Sequence, residues 1–275
     1  MAGENKTIAI VATNLLNGFS AQIIWAIQTE SLNTDYDLVI YTTKSAINMG
    51  GAEFLYEKIA NDKRAGAVIV IAYPISDKAI DGFYNSGITP VVIETRKKGV
   101  NCVRANNEKG AYDAGVYLAG KKRKKIGIIV GDPAFADSQK ERLAGFQAGL
   151  KDNGININEN MIYTISRYSY QAGKDAFKNM IMNEVDSVFC AAGDYVAQGF
   201  LHEANKQGVS FPYSMSLIGF DDVEVSEDLG LSTVRQPLSE MGKEAFKMAV
   251  DSLKKTGVPV REKVFECSLI IRETA

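Results

Sequence analysis

Two adjacent carboxylates, Asp221 and Asp222, follow a short apolar run at 216–220 that is typical of a buried strand. Ligands of open α/β sheets bind outside the carboxyl ends of the strands, so a polar side chain at this place is a candidate ligand contact. An ionised carboxylate only accepts hydrogen bonds, which suits a ligand that presents hydroxyl or N–H groups. The sequence therefore predicts that Asp221 contacts a ligand and that Asp222 caps the loop that follows.

Arg142 is a second candidate because it lies near the beginning of a predicted helix. Its guanidinium can bind vicinal hydroxyls, a carbonyl or a carboxylate through two parallel hydrogen bonds. The structural alternative is a surface arginine paired with Glu141 or Asp137. Asp194 lies between a predicted strand and a predicted helix, where an aspartate commonly caps the helix N-terminus.

Enzyme chemistry has little support in the sequence. The chain has one histidine, His202, inside a predicted helix, and it has none of the glycine-rich phosphate motifs or the G-x-S-x-G motif of serine hydrolases. Adjacent carboxylates cannot flank a glycosidic bond, which requires a separation of about 5 Å or more. We therefore predict no catalytic residue, no metal site and no cofactor, and an α/β enzyme is the least favoured class.

Composition excludes other classes of protein. Lys and Arg number 31 against 33 Asp and Glu, a formal charge of −2, so no global field attracts nucleic acid or an anionic membrane. No apolar run approaches the roughly 18 residues of a membrane span. The first residues carry no secretory core, and three distant cysteines favour neither a disulfide framework nor a zinc site. These observations predict a cytoplasmic protein.

Predicted strands and helices alternate along the chain, an order that requires parallel sheets. The same strand, loop and helix order begins at Thr7 and again at Lys125. A chain of 275 residues is long for one hydrophobic core. The sequence therefore predicts an α/β fold of two similar lobes, each a parallel sheet flanked by helices.

Six short segments in this order resemble the effector-binding core of the lactose-repressor-like (LacI/GalR) transcription regulators. They are N-G-F-S-A-Q-I at 17–23, N-N-E-K-G-A at 106–111, D-S-Q-K-E-R-L-A-G-F at 137–146, A-A-G-D-Y-V-A-Q-G at 191–199, I-G-F-D-D at 218–222 and T-V-R-Q-P at 233–237. The resemblance implies the type I periplasmic-binding-protein-like fold, with lobes at 6–105 plus 238–264 and at 106–237 plus 265–275. It also implies a hinge of three segments between the lobes.

The resemblance assigns an effector site. Arg142 occupies the position of the family's effector arginine, and Tyr168 and Phe19 resemble positions of ligand-facing aromatics. The family usually has asparagine where this chain has Gly193 and aspartate where it has Thr95, departures that leave the effector's chemistry open. The expected ligand-binding residues are Arg142, Asp221, Tyr168, Phe19, Asn14, Thr95, Gly193 and Asp194.

The implied function is that of the effector-binding and dimerisation core of a LacI-type regulator, which senses a sugar, a sugar derivative or a nucleoside-like effector by closure of its lobes. We expect a homodimer formed mainly by helices at 52–61 and 76–86. DNA binding would require a helix-turn-helix, which this sequence does not contain ahead of Thr7. The alternative is a periplasmic sugar-binding protein of a transporter, which shares the fold.

Overall fold

The computed structural model describes residues 6–12, 15, 17–42, 49–121, 123, 125–254 and 257–275. The chain divides into two compact units, the first formed by Met1–Arg104 with Pro237–Phe265 and the second by Ala105–Gln236 with Glu266–Ala275. It passes from one unit to the other at Arg104–Ala105, Gln236–Pro237 and Phe265–Glu266, which we call the first, second and third connecting segments.

Twelve strands, nine α-helices and one turn of 3-10 helix are present in the described residues. In chain order they are β1 (Thr7–Ala12), α1 (Gly18–Ser31), β2 (Asp37–Thr42), α2 (Met49–Asp62), β3 (Ala67–Ile71), α3 (Asp77–Asn85), β4 (Thr89–Ile93), β5 (Asn101–Ala105), α4 (Asn107–Gly120), β6 (Ile126–Gly131), α5 (Asp137–Asp152), the 3-10 turn (Glu159–Met161), β7 (Ile162–Ile165), α6 (Tyr170–Met182), β8 (Ser187–Cys190), α7 (Asp194–Lys206), β9 (Ser216–Asp221), α8 (Val225–Asp228), β10 (Ser232–Arg235), α9 (Leu238–Lys254), β11 (Glu262–Phe265) and β12 (Ser268–Ile270). None of the helices described is both long enough and apolar enough to span a bilayer.

Each unit is built on one six-stranded sheet. The orders are β11-β5-β4-β3-β1-β2 and β12-β10-β9-β8-β6-β7, so β6 to β10 and β12 repeat the arrangement of β1 to β5 and β11. Central strands such as β3 and β8 are buried along their whole length because helices cover both faces of the sheet. The predicted fold class, two lobes with parallel sheets between helices, is confirmed.

Tertiary pairing creates one strand that the sequence pattern did not predict. β5 has a polar residue at its beginning and Arg104 near its end, so its apolar signal is short. It is nevertheless a strand because Asn101, Cys102 and Val103 pair in parallel with Val91, Val92 and Ile93 of β4. The extended residues near the end of the chain are divided by the third connecting segment into β11 and β12, one in each sheet.

Helices α4 and α5 of the second unit pack with their backbones in contact. A Cβ added to Gly145 of α5 would lie 2.1 Å from the carbonyl oxygen of Glu108 on α4, and one added to Gly149 would lie 2.3 Å from that of Tyr112. No side chain fits between helices this close. The pair therefore forms a rigid support for the residues at the beginnings of both helices.

Candidate functional site

The carboxyl end of the second sheet carries a cluster of buried polar side chains. Asp221 is the last residue of β9 and is 7% exposed. Asp221 and Asp222 have φ values of 113° and 56°, which non-glycine residues seldom adopt. Such backbone strain persists only where surrounding contacts hold it, and it is concentrated at functional sites.

Arg142 reaches this strand end from α5. Its Nε donates to Oδ1 of Asn107 at 2.7 Å, and its Nη1 donates to the carbonyl oxygen of Ala191 at 2.8 Å. The guanidinium carbon lies 3.7 Å from the centroid of the Phe220 ring, and Nη1 lies 3.8 Å from Oδ1 of Asp221. Arg142 is 4% exposed, so the alternative of a surface arginine is wrong.

Gln236 is a site residue that the sequence reasoning missed. Its Nε2 donates to Oδ1 of Asp221 at 2.7 Å, and its backbone N–H donates to the Asp221 carbonyl oxygen at 3.3 Å. The side chain is 3% exposed, and Oε1 is buried without a hydrogen-bond partner among the residues that the structure describes. The signal was available, because Gln236 follows β10, the strand beside β9, at the same edge of the sheet.

Asp194 does not cap α7, contrary to the prediction. Gly193 is the N-cap residue, and Asp194 is the first residue of the helix. The Asp194 carboxylate instead accepts hydrogen bonds from Val223 N at 3.2 Å, Ser226 Oγ at 2.7 Å and Thr233 Oγ1 at 2.8 Å. Burial, together with the negative charge of Asp221, raises the pKa of Asp194 to about 8. Asp194 therefore fixes the position of the segment after β9, and it lies close enough to Asp221 for the two charges to interact.

The backbone conformation at position 193 requires glycine. Its φ of 107° and ψ of 163° lie in a region that is essentially restricted to glycine. A Cβ there would also lie 2.6 Å from Oδ2 of Asp221. This explains why the asparagine expected from the resemblance does not occur at this position.

Asp222 has a different role from the loop cap that we predicted. Its carboxylate forms ion pairs with Arg235 on β10 and with Arg272 after β12. These contacts hold the strained turn at 221–222 against two neighbouring segments of the same unit. Because the Asp222 carboxylate is paired with these two arginines, we assign the ligand contact to Asp221 and not to Asp222.

Tyr168 lies after β7, close to Arg142. Its hydroxyl oxygen packs against Gly131, where an added Cβ would lie only 1.9 Å away, while the residue as a whole is 42% exposed. Burial raises the pKa of Tyr168 to about 12, although the positive charge of Arg142 opposes this. The phenol therefore stays protonated, and part of its ring remains available to a ligand.

The remaining predicted site residues belong to the first unit. Phe19 lies in the first turn of α1 and is half-buried. Thr95 follows β4, and its carbonyl oxygen accepts from the Cys102 thiol at 3.1 Å. Asn14 lies outside the described residues. The second unit thus brings together Arg142, Asp221, Tyr168, Gly193 and Asp194, whereas Phe19 and Thr95 belong to the first unit.

Metal-ligating side chains and the single histidine bear on the question of metal binding and catalysis. No group of three or more His, Cys, Asp or Glu side chains is placed to hold a metal ion in the part of the chain that the structure describes. His202 lies on the exposed side of α7, with its ring 5.8 Å from that of Tyr170. The cluster around Asp221 offers hydrogen-bond acceptors beside a guanidinium, an arrangement that suits binding.

Comparison with known proteins places the chain in a family. Residues 116–275, more than half of the chain, match the periplasmic binding protein-like domain family, and the chain belongs to it. It is 27% identical to the HTH-type transcriptional repressor PurR of Klebsiella pneumoniae (strain 342) over 91% of this chain and 74% of that protein. It is also 27% identical to the HTH-type transcriptional repressor CytR of Escherichia coli (strain K12) over 98% of this chain and 79% of that protein.

A solved structure shares the fold. The LacI family transcriptional regulator from Enterococcus faecium, determined with bound ribose, matches with a TM-score of 0.86 over 98% of each chain at 20% sequence identity. The resemblance to the effector-binding core of LacI-type regulators, first indicated by six short segments, is thereby confirmed.

Proposed function

We propose that this chain is the effector-binding core of a LacI-type transcriptional regulator and that its effector binds at the carboxyl end of the second sheet. The observation that carries the proposal is the buried network of Arg142, Asp221 and Gln236, in which Oε1 of Gln236 has no partner among the described residues. A buried acceptor left unpaired costs about 1–3 kcal/mol. A ligand donor placed against Oε1 would remove that cost.

The network favours a neutral ligand rich in donors. The charge of Arg142 is matched by Asp221, and two of its nitrogens already donate to Asn107 and Ala191. Asp221 and Gln236 add acceptors, which repel a phosphate or carboxylate and attract hydroxyl and N–H groups. The partly exposed ring of Tyr168 suits the C–H face of a sugar or the face of a base. We therefore propose a sugar, a sugar derivative or a nucleoside as effector.

A thermal-shift panel of neutral sugars, nucleosides and the corresponding phosphates tests this proposal. At 100 times its Kd a true effector adds about 2.7 kcal/mol of stability. We expect the shift with a neutral compound and its loss in Arg142→Ala, whereas Asp113→Asn, a change of a partly exposed acid that pairs with Lys109 on α4, keeps it. Stabilisation only by the phosphates, or an unchanged shift in Arg142→Ala, would contradict the site.

The proposed regulator is a homodimer, and the apolar surface of α1 and β2 is the part of the first unit best suited to a second copy. Trp25 on α1 and Leu32, its C-cap residue, are 71% and 77% exposed, and Val39 and Ile40 on the edge strand β2 are 40% and 42% exposed. The helices first predicted, now α2 and α3, expose Phe54 and Tyr84 and remain the competing surface. Exposed apolar side chains beside β2, which ends the sheet among the described residues, favour protein association.

Light scattering during size-exclusion chromatography distinguishes the two surfaces. Trp25→Glu should convert a dimer to a monomer, and Phe54→Glu, a matched change of an exposed aromatic, should leave the dimer intact. The opposite pattern would place the interface on α2, and a monomeric wild-type protein would contradict dimerisation by this core.

The regulator role also implies a cytoplasmic location, no catalysis, and contact with DNA only through a helix-turn-helix segment, the kind of segment that the names of PurR and CytR specify. These relatives favour a regulator over the alternative of a transporter's sugar-binding protein. The closure of two lobes around the effector stays a prediction.

A further inference from the structure

The first turn of α4, at residues 106–110, contacts residues that belong to the connecting segments or lie within two residues of them. Nδ2 of Asn106 donates to Oε2 of Glu266 at 3.2 Å, and Glu266 is the residue that enters the second unit in the third connecting segment. Gly110 packs so closely on β10 and on Cys267 that a Cβ would lie 2.7 Å from Val234 Cγ1 and 2.8 Å from Cys267 Cβ. We call this turn of α4 the junction.

Asn107 joins the junction to the proposed effector site. Its side chain is 1% exposed, and its Oδ1 accepts the hydrogen bond from Arg142 Nε at 2.7 Å. Its Nδ2 donates to the carbonyl oxygen of Ala105 at 3.3 Å, and Ala105 is the second-unit residue of the first connecting segment. One amide side chain thus bonds both to the site's guanidinium and to the backbone of that segment.

The geometry of this connection is fixed by the packing around it. The glycine contacts of α5 with α4 set the separation of Asn107 from Arg142. The ring of Phe220 and the carbonyl oxygen of Ala191 hold the guanidinium on its other sides. A ligand that displaces the Arg142 guanidinium therefore also displaces the Asn107 side chain. The remaining contacts leave little room for the guanidinium to move alone.

We propose that Asn107 is a positioning residue that orients Arg142 for the effector and couples effector binding to the three connecting segments. The coupling rests on the proposed function. The orientation of Arg142 does not, because it is a property of the ligand-free protein. Gln236 supplies a parallel contact, since it bonds to Asp221 and is the second-unit residue of the second connecting segment.

The first experiment follows the Arg142 Nε–H signal by NMR in the ligand-free protein. Asn107→Ala should remove the acceptor and speed hydrogen exchange of this N–H by about tenfold or more, as expected for a lost hydrogen bond of about 1.5–3 kcal/mol to a charged group. Asn107→Asp should restore slow exchange, because a carboxylate oxygen accepts the same bond. An unchanged signal in Asn107→Ala would overturn the proposal.

Asn106→Ala is the matched control. It removes the N-cap of α4 and the contact to Glu266 but leaves the acceptor of Arg142 in place. Its melting temperature should also fall, because α4 loses its N-cap, while its Arg142 signal stays slow. If Asn106→Ala changes the Arg142 signal as much as Asn107→Ala does, Asn107 has only a general structural role.

The second experiment measures backbone hydrogen exchange with and without D-ribose as the probe. In the wild-type protein saturating ribose should protect the end of β9 and also residues 105–107, 234–236 and 265–267. Asn107→Ala should bind ribose about ten- to a hundredfold more weakly and, at saturation, keep the protection of β9 but lose it in the connecting segments. Equal protection in both proteins would overturn the coupling.

The two proposals fail in different ways. If ribose does not bind the wild-type protein, the sugar proposal loses its simplest candidate, and the ligand-free comparison still decides the role of Asn107. In that comparison Asn107→Ala should raise exchange at 265–267, whereas Arg123→Ala should not, because Arg123 donates to the carbonyl oxygens of Pro212 and Tyr213 elsewhere in the second unit. No rise in Asn107→Ala would overturn the connection to the junction.

Discussion

The two units have the same strand order but very different chemistry at the carboxyl ends of equivalent strands. After β3 the first unit continues with apolar residues, and Tyr73 and Ile75 are buried there. After β8, the equivalent strand of the second unit, the chain continues with Gly193 and the buried Asp194. The shared topology therefore places the residues after β3 and after β8 at equivalent positions in their sheets. The side chains alone decide whether such a position is filled by apolar residues or carries a polar group.

A second pair of strand ends shows what the units retain in common. Glu94 after β4 and Asp221 at the end of β9 are both buried acids with positive φ, at 61° and 113°. Asp221 lies in a network with Arg142 and Gln236, and the charge of the nearby Asp194 acts on it as well. The same backbone feature, a buried acid with positive φ, thus occurs at the carboxyl end of both sheets.

The largest expected effect is the loss of the Asp194 carboxylate. Asp194→Ala leaves three buried donors without their acceptor, so we expect the free energy of unfolding to fall by about 3 kcal/mol. Ser76→Ala, which removes the N-cap of α3 after the equivalent strand, should cost about 1 kcal/mol. Urea denaturation measures both losses of stability. A smaller loss in Asp194→Ala than in Ser76→Ala would contradict the greater role that we give to the buried carboxyl group in the second unit.

Glycine substitutions test the close contact between Gly193 and the side chain of Asp221. Gly193→Ala should destabilise the protein by about 2–3 kcal/mol, since it adds both backbone strain and a collision with Asp221. Gly87→Ala in the first unit is the control, because its φ is also positive at 73° but no atom lies within 4 Å of the added Cβ. It should cost about 1 kcal/mol. Equal losses in the two variants would show that the contact with Asp221 contributes nothing.

Asp194 should also make the stability of the folded protein depend on pH. The folded-state pKa of Asp194 is about 8, above the value of about 3.9 in an unfolded chain. The folded protein therefore binds more protons between these values, and its stability should fall as the pH rises through this window. Denaturation of wild type and Asp194→Asn at pH 5 and pH 8 measures it. The wild type should lose more stability on going to pH 8, and the reverse order would contradict the raised pKa.

The smallest effect concerns the cysteines. Burial raises the pKa of Cys102 in the first unit to about 12 and also raises that of the fully buried Cys190 in the second. Neither thiol should react with Ellman's reagent at neutral pH in the folded protein, and the half-buried Cys267 should react first. Cys267→Ser should abolish the early reaction. Early labelling of Cys102 would indicate that the first unit opens locally.

The fold was largely predictable because apolar runs and helical spacing recur twice along the chain. β5 was missed because its strand conformation depends on pairing with β4 and not on its own residues. Arg142 and Asp221 were found because charged groups after a strand or early in a helix point to a ligand edge. Their burial and mutual approach depend on contacts that no spacing specifies.

The supporting residues were harder to predict for a physical reason. Asn107 is 35 residues from Arg142, and Gln236 is 15 residues from Asp221, so their hydrogen bonds exist only after the sheet and helices have packed. Asp194 was predicted as a helix cap because local geometry favours that role. Its three actual donors come from residues 29 to 39 positions further along the chain.

Calorimetric titration of Asp221→Asn tests the central claim most directly, with the neutral sugar or nucleoside that most stabilises the wild-type protein. The substitution keeps the shape of the side chain but removes the charge that balances Arg142 and one acceptor of the site. We predict that affinity falls by at least about tenfold, a change of about 1.4 kcal/mol, while Asp113→Asn binds as the wild type does. Undiminished binding by Asp221→Asn would show that the effector does not bind at the carboxyl end of the second sheet.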